Sequence, residues 1–114
     1  MTVLIVEDNA SVRRLLRRAV QPIATEIWER ADGVEALAAY SEHLPDLVLL
    51  DVRMPIMDGL AATRQIRKFD PAARVIIVTD CDDEDMRWAA SEAGASGYVL
   101  KQDLTRLEAL IGQS

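Results

Sequence analysis

Three short runs of the chain are apolar at every position: Val3-Leu4-Ile5-Val6, Leu47-Val48-Leu49-Leu50 and Val75-Ile76-Ile77-Val78. A strand with one face in water would alternate, so these runs read as strands covered on both faces. Strands of that kind sit inside a parallel sheet, whose crossovers lay helices on either side. The intervals carry the matching helix period. Val12, Leu15, Leu16, Ala19 and Val20 form one helix face, stopped at Pro22. Glu26-Ile27-Trp28-Glu29 is mixed enough to be a strand at a sheet edge. Asp32-Gly33 turns the chain, and Val34, Leu37, Ala38 and Ser41 mark a second helix face. Pro45 leads into the second apolar run, and a loop from Val52 to Asp58, holding Pro55, leaves it. Asp58 and Gly59 suit the start of a helix through about Lys68, before a turn at Asp70-Pro71. Asp82-Asp83-Glu84-Asp85 place acids at the positive end of a helix dipole. Met86, Ala89, Ala90 and Ala93 are its inner face and Gly94 ends it. Tyr98-Val99-Leu100 is a last strand, and Leu104, Leu107 and Ile111 mark a closing helix. Five strand–helix pairs with short connections predict a doubly wound α/β fold, a five-stranded parallel sheet with helices on both faces.

With 114 residues the chain is one domain's worth, read as a single unit over 1–114. Half of it is apolar, which excludes intrinsic disorder. The one cysteine, Cys81, excludes an internal disulfide framework and a cysteine-based zinc cluster. No apolar run approaches the roughly 20 residues of a membrane helix, and no secretory signal opens the chain. The net charge of −6 argues against direct nucleic-acid contact, which needs a cationic surface. A reducing cytoplasm is the expected setting.

In open α/β sheets, sites form beyond the carboxyl ends of the strands. Glu7 and Asp8 follow the first strand, Asp51 the third, Thr79 and Asp80 the fourth and Lys101 the fifth. Three carboxylates, a hydroxyl and an ammonium thus point to one end of the sheet. Two like charges about 4 Å apart repel by about 4 kcal/mol at an effective dielectric near 20. Three crowded together need a proton or a cation between them. Oxygen donors favour a hard ion such as Mg²⁺, which takes one or two carboxylates and leaves room for a phosphate. Asp51 can attack phosphorus to give an aspartyl phosphate, with Lys101 and Thr79 holding phosphoryl oxygens.

These residues have a known counterpart. Glu7-Asp8, Asp51 within Leu49-Leu50-Asp51-Val52-Arg53-Met54-Pro55-Ile56-Met57-Asp58-Gly59, Thr79, and Tyr98-Val99-Leu100-Lys101 together resemble the receiver domain of two-component response regulators, across essentially the whole chain. The resemblance implies the flavodoxin-like strand order 2-1-3-4-5 seen in the chemotaxis member of that family. It implies that Asp51 accepts a phosphoryl group from a sensor histidine kinase or phosphotransfer protein. Asp8, Asp51 and the backbone carbonyl of Arg53 would bind Mg²⁺, with Glu7 acting through water. Lys101 would pair with the phosphoryl group, Thr79 would swing to bond it, and Tyr98 would turn inward behind it, a two-state element. The stretch Asp51 to Gly59, with Gly94-Ala95-Ser96-Gly97-Tyr98, looks most like receivers that precede a LuxR-type helix-turn-helix. That implies transcription regulation through a C-terminal DNA-binding domain outside this chain, and a phosphorylation-dependent homodimer. The chain reads as a receiver excised from a longer regulator, without an output domain of its own. The surface of the fourth helix, fifth strand and closing helix is the family's usual partner face.

One position departs from the pattern. Family members usually have a small residue after the switch threonine, and here it is Asp80. Its charge would repel a phosphoryl group and narrow access to Asp51, giving slow loading, a short-lived phosphate, or a pseudo-receiver that acts by protein contact alone. A phosphatase with an aspartate nucleophile would place a second aspartate two residues on, where this chain has Arg53. A flavin or nucleotide binder would need a glycine- or hydroxyl-rich loop where Glu7-Asp8-Asn9 stands. The chain is therefore read as turning over no external metabolite. Arg13, Arg14, Arg17 and Arg18 are expected to form a solvated helix face, His43 to lie on the surface and Cys81 to be inert. Met54 and Met57 are expected to pack within their loop and Trp28 to be partial core. Trp88 lies off its helix's inner face, either exposed or packed on a neighbouring loop.

Overall fold

A computed structural model describes residues 1–53 and 58–111, apart from the side chain of Glu108. The expectations for Met54, Pro55 and Met57 lie outside the described residues. The chain runs β1 (Thr2–Val6), α1 (Ala10–Val20), β2 (Glu26–Arg30), α2 (Ala36–His43), β3 (Leu47–Leu50) and α3 (Gly59–Phe69). It continues through β4 (Val75–Thr79), α4 (Glu84–Ala93), β5 (Gly97–Leu100) and α5 (Thr105–Ile111). All neighbouring strands are parallel, in the order β2-β1-β3-β4-β5. The three apolar runs are the three central strands, and the mixed run Glu26–Arg30 is an edge.

Alternate side chains of those strands feed two separate cores. Val3, Ile5, Leu47, Leu49, Ile76 and Val78 pack under α1 and α5, with Leu16, Val20 and Leu107. Leu4, Val6, Val48, Leu50, Val75 and Ile77 pack under α2, α3 and α4, with Ala36, Ala39, Ala62, Ile66 and Ala90. Each Leu, Ile or Val buried this way contributes about 1.5–3 kcal/mol relative to exposure. The alanines matter for the second face, because small side chains let the helix backbones lie close to the sheet. Helix starts follow the expected chemistry. Asn9, Asp58 and Asp83 each cap a helix through a side-chain oxygen that accepts a backbone N–H. Gly94 ends α4 at φ 100°, a left-handed position that favours glycine.

Two helix faces differ from expectation. On α1 the buried residues are Leu16 and Val20, while Leu15 is 49% exposed and borders an apolar groove between α1 and α5. On α2 the predicted face of Val34, Leu37, Ala38 and Ser41 is replaced by Ala36, Ala39 and Tyr40. Val34, Ala38 and Ser41 are exposed and Leu37 is half-buried. The cause is a 3₁₀ turn over Gly33–Glu35, capped by the Asp32 carboxylate, where a simple turn was expected. A 3₁₀ turn advances by about three residues per turn, so the helical phase counted from Val34 is lost. The buried Tyr40 hydroxyl then donates to Asp70 Oδ2 at 2.6 Å.

Leu44 ends α2 with φ 45° and ψ 58°, a left-handed conformation costly for a leucine and unusual before a proline. Its side chain is largely exposed, so little packing repays that strain. Leu44→Gly is expected to stabilise the protein by about 0.5–1 kcal/mol, read as a higher urea midpoint. A lower midpoint would mean that the exposed leucine contributes packing that outweighs its backbone strain. At the foot of β4, the Arg74 guanidinium donates to the carbonyls of Leu110 (2.6 Å) and Ile111 (3.1 Å), satisfying the end of α5.

Candidate functional site

Parallel register brings the strand ends level. Val6 pairs with Leu50, Leu50 with Ile77, and Thr79 with Leu100. The residues just past those ends therefore meet. Asp51 N–H donates to the Val6 carbonyl at 3.1 Å, and Glu7 N–H to the Arg30 carbonyl at 3.0 Å. Glu7 is fully buried, Asp51 nearly so, and Asp8 is exposed. One carboxylate oxygen from each of Glu7, Asp8 and Asp51 lies within 4.8 Å of the others. Lys101, leaving β5, brings its ammonium to 2.9 Å from Glu7 Oε1 and 3.4 Å from Asp51 Oδ2. The Arg13 guanidinium donates to the carbonyls of Glu7 (2.8 Å) and Asp8 (3.3 Å), fastening α1 to this loop.

The electrostatics follow from burial. Burial pushes Glu7 up to about 7, helped by Asp8 and opposed by the Asn9 N–H and Lys101. Burial also raises Asp51, against the pull of Lys101 and the Arg53 N–H. For Lys101, burial pulls the pKa down, but the Glu7 and Asp51 carboxylates outweigh it and raise the net value. Glu7 Oε1 is a buried oxygen without a hydrogen bond in ordinary geometry, paired with the Lys101 ammonium at 2.9 Å. A crowded set of oxygens, one without a hydrogen bond, suits a hard divalent cation.

The carboxylates open into a cavity of about 330 Å³ whose wall also includes Arg53, Asp80 and Lys101. Asp80 is exposed and lines the same space as Asp51, so the residue outside the family pattern does face the site. Thr79 is fully buried, and its Oγ1 accepts the Cys81 N–H at 3.2 Å. The Tyr98 ring is half-buried against the core beneath α4, and its hydroxyl donates to the Cys81 carbonyl. The part Cys81 plays among these described contacts is therefore carried by its backbone.

Other expectations sort as follows. Arg14 and Arg18 are exposed, but Arg13 and Arg17 pair with Glu29 at 3.6 and 2.8 Å, so only part of that helix face is free. His43 is not simply a surface residue. It stacks on the half-buried Trp28 at 4.2 Å between ring centroids. Trp88 is 68% exposed. Gly59 is a site residue that the residue pattern alone did not single out. A Cβ there would lie 2.0 Å from the Asp51 carbonyl oxygen. Its signal was a poor helix former placed directly after an N-cap aspartate, where a better one would ordinarily stand.

Residues 3–112 match the response regulator receiver domain family. The chain belongs to that family. The receiver is 41% identical over 99 residues to the chemotaxis protein CheY of Halobacterium salinarum, covering 87% of this chain and 82% of that one. It is 36% identical over 114 residues to the response regulator MprA of a Mycobacterium species, covering 96% of this chain but only 50% of the relative. Among solved structures it superposes on a LuxR-family response regulator from Aurantimonas with a TM-score of 0.90 at 37% identity. That match covers 98% of the receiver and 82% of the neighbour. A complex of CheX with CheY, BeF₃ and Mg²⁺ from Borrelia burgdorferi gives a TM-score of 0.90 at 28% identity, covering 99% and 87%. Among the described residues, no helix of the receiver is long and apolar enough to cross a membrane.

Proposed function

We propose that this receiver is switched by phosphorylation of Asp51. The observation that carries the reading is a nearly buried Asp51 carboxylate with the Lys101 ammonium at 3.4 Å and the Glu7 and Asp8 carboxylates clustered with it. An Asp51 oxygen attacks the phosphorus of a phosphohistidine. The P–N bond breaks, and the imidazole leaves with its electron pair and takes a proton. Lys101 meets the incoming charge, which arrives in a pocket walled from bulk water on the sheet side. Asp8, Asp51 and the Arg53 carbonyl would hold Mg²⁺, with Glu7 reaching it through water. Bound there, the ion would neutralise phosphoryl and carboxylate charge together. The Borrelia neighbour, crystallised with BeF₃ and Mg²⁺, supports this assignment by likeness. Thr79 then gives up the Cys81 N–H and swings to the phosphoryl oxygen, and Tyr98 holds the space behind it.

The partners that fit are a sensor histidine kinase or phosphotransfer protein in the cytoplasm, and a C-terminal helix-turn-helix domain of the LuxR type. The LuxR-family and MprA likenesses support transcription regulation as the output. A homodimer formed on phosphorylation through α4, β5 and α5 is consistent with that output. The protein modifies and unloads itself and turns over no external metabolite. Intact-protein mass after incubation with acetyl phosphate and Mg²⁺ tests the reading. One added phosphoryl group is expected, absent in Asp51→Asn and absent when Mg²⁺ is chelated. Folded protein that gains no mass with any phosphodonor would remove the assignment.

Asp80 favours a second reading, because it lines the cavity a phosphodonor must enter. An exposed carboxylate is screened, so the repulsion is a rate effect of about two- to tenfold and not a block. Asp80→Ala is expected to load faster or hold its phosphate longer by that factor. Unchanged loading and decay would show that the carboxylate points its charge into solvent. No loading before the substitution and full loading after it would make the natural chain a pseudo-receiver.

A further inference from the structure

The tyrosine beneath α4 is held by a guanidinium and by the core. The Arg87 guanidinium carbon stands 4.5 Å from the Tyr98 ring centroid, and Arg87 Nη2 is 3.1 Å from Asp82 Oδ1. The ring also packs against the core that includes Ala90 of α4. The Tyr98 hydroxyl donates to the Cys81 carbonyl, and the Cys81 N–H donates to Thr79 Oγ1. These contacts form a chain from Asp82 to Arg87, to Tyr98, to residue 81 and to Thr79. Both of its ends lie on or beside the loop that joins β4 to α4. A cation over a phenol ring attracts it, and more strongly where the pair is partly withdrawn from water. Tyr98 cannot swing outward without parting from Arg87 and breaking its bond to Cys81. Arg87 for its part is anchored by Asp82, on the loop that has to move.

We propose that Arg87, anchored by Asp82, is a positioning residue for the switch. It holds Tyr98 inward, against the core and in reach of the Cys81 carbonyl. The inference rests on the reading of Asp51 as phosphoacceptor with Thr79 and Tyr98 as its switch. The Arg87 contact belongs to the inward ring, and to the extent that it is lost outward it shifts the population toward the inward state. A group bound at Asp51 that also favours the inward state binds more tightly by the same factor. The strength of that shift is set on α4, outside the phosphorylation pocket.

The test uses the whole chain with 3-fluorotyrosine in place of its two tyrosines, Tyr98→Phe assigning the two ¹⁹F signals. Beryllofluoride with Mg²⁺ serves as the phosphoryl stand-in. Arg87→Gln is expected to weaken beryllofluoride binding about two- to fivefold. It should also move the Tyr98 signal of the free protein toward that of an exposed ring. Arg87→Lys should recover part of both effects, and Asp82→Asn should reproduce a fraction of them. In a Tyr98→Ala background, Arg87→Gln should change the affinity no further. An unmoved Tyr98 signal with unchanged affinity would overturn the proposal. So would an undiminished loss of affinity in the Tyr98→Ala background. If the unsubstituted protein fails to bind beryllofluoride, the phosphoacceptor reading fails, and the ¹⁹F shift of the free protein still decides the role of Arg87.

Discussion

Gly59→Ala is expected to cost the protein about 3 kcal/mol or more and to slow phosphoryl acceptance on Asp51 about a hundredfold even where it still folds. An alanine Cβ would stand 2.0 Å from the Asp51 carbonyl oxygen, 2.8 Å from its carbon and 3.0 Å from Val52 Cα. All three are backbone atoms, so no rotamer change can make room. Gly59 N–H also donates to the Val52 carbonyl at 2.8 Å, pressing the start of α3 against the end of β3. A methyl group forces α3 or the Asp51 peptide to move by about 1 Å, and an error of that size at a reacting group costs about a hundredfold in rate. Urea unfolding reads the first effect and acetyl-phosphate loading the second. A variant with wild-type stability and loading would show that α3 does not crowd the acceptor in solution.

Lys101→Met is expected to destabilise the metal-free protein by about 2–3 kcal/mol at pH 8 and by clearly less at pH 5. Glu7 titrates near 7 in the fold against an ordinary 4.5, so the folded state binds more protons than the unfolded chain between those values. Stability therefore falls as pH rises through that window. Lys101 is raised above its ordinary 10.5, so its contribution is complete at neutral pH and is lost only in strong alkali. Taking it away leaves Glu7 and Asp51 buried without their cation, and breaking a buried pair costs about 3–5 kcal/mol. Glu7 escapes part of that cost by taking a proton, more readily at pH 5 than at pH 8. Denaturant titrations in chelator at the two pH values check this, and equal losses at both would contradict it. For the unsubstituted protein, added Mg²⁺ should raise the melting temperature more at pH 8, because at pH 5 protons compete for the same oxygens.

The central strands were legible because a doubly covered strand leaves no choice of face. With Val3–Val6, Leu47–Leu50 and Val75–Val78 assigned, the residues beyond them are fixed in space by the parallel register, and the charged pocket follows. Helix faces were harder to read. The 3₁₀ turn at Gly33–Glu35 shifts the phase of α2, and a run of alanines gives no contrast to correct it. Close approaches were not legible at all. That Gly59 touches Asp51, or that Arg87 lies over Tyr98, depends on how α3 and α4 settle on the sheet. Sequence spacing places residues along an element and says little about the last few ångströms between two of them.

The guanidinium of Arg74 gives β4 a mechanical role. Arg74 grips the terminal carbonyls of α5 immediately before the strand begins, and Thr79 is the strand's last residue. Five extended residues span about 16 Å with almost no give along their length. β4 therefore works as a strut. The end of α5 and the switch hydroxyl are thus tied to opposite ends of one strand, and its ladders to β3 and β5 spread any load on that strand across the sheet.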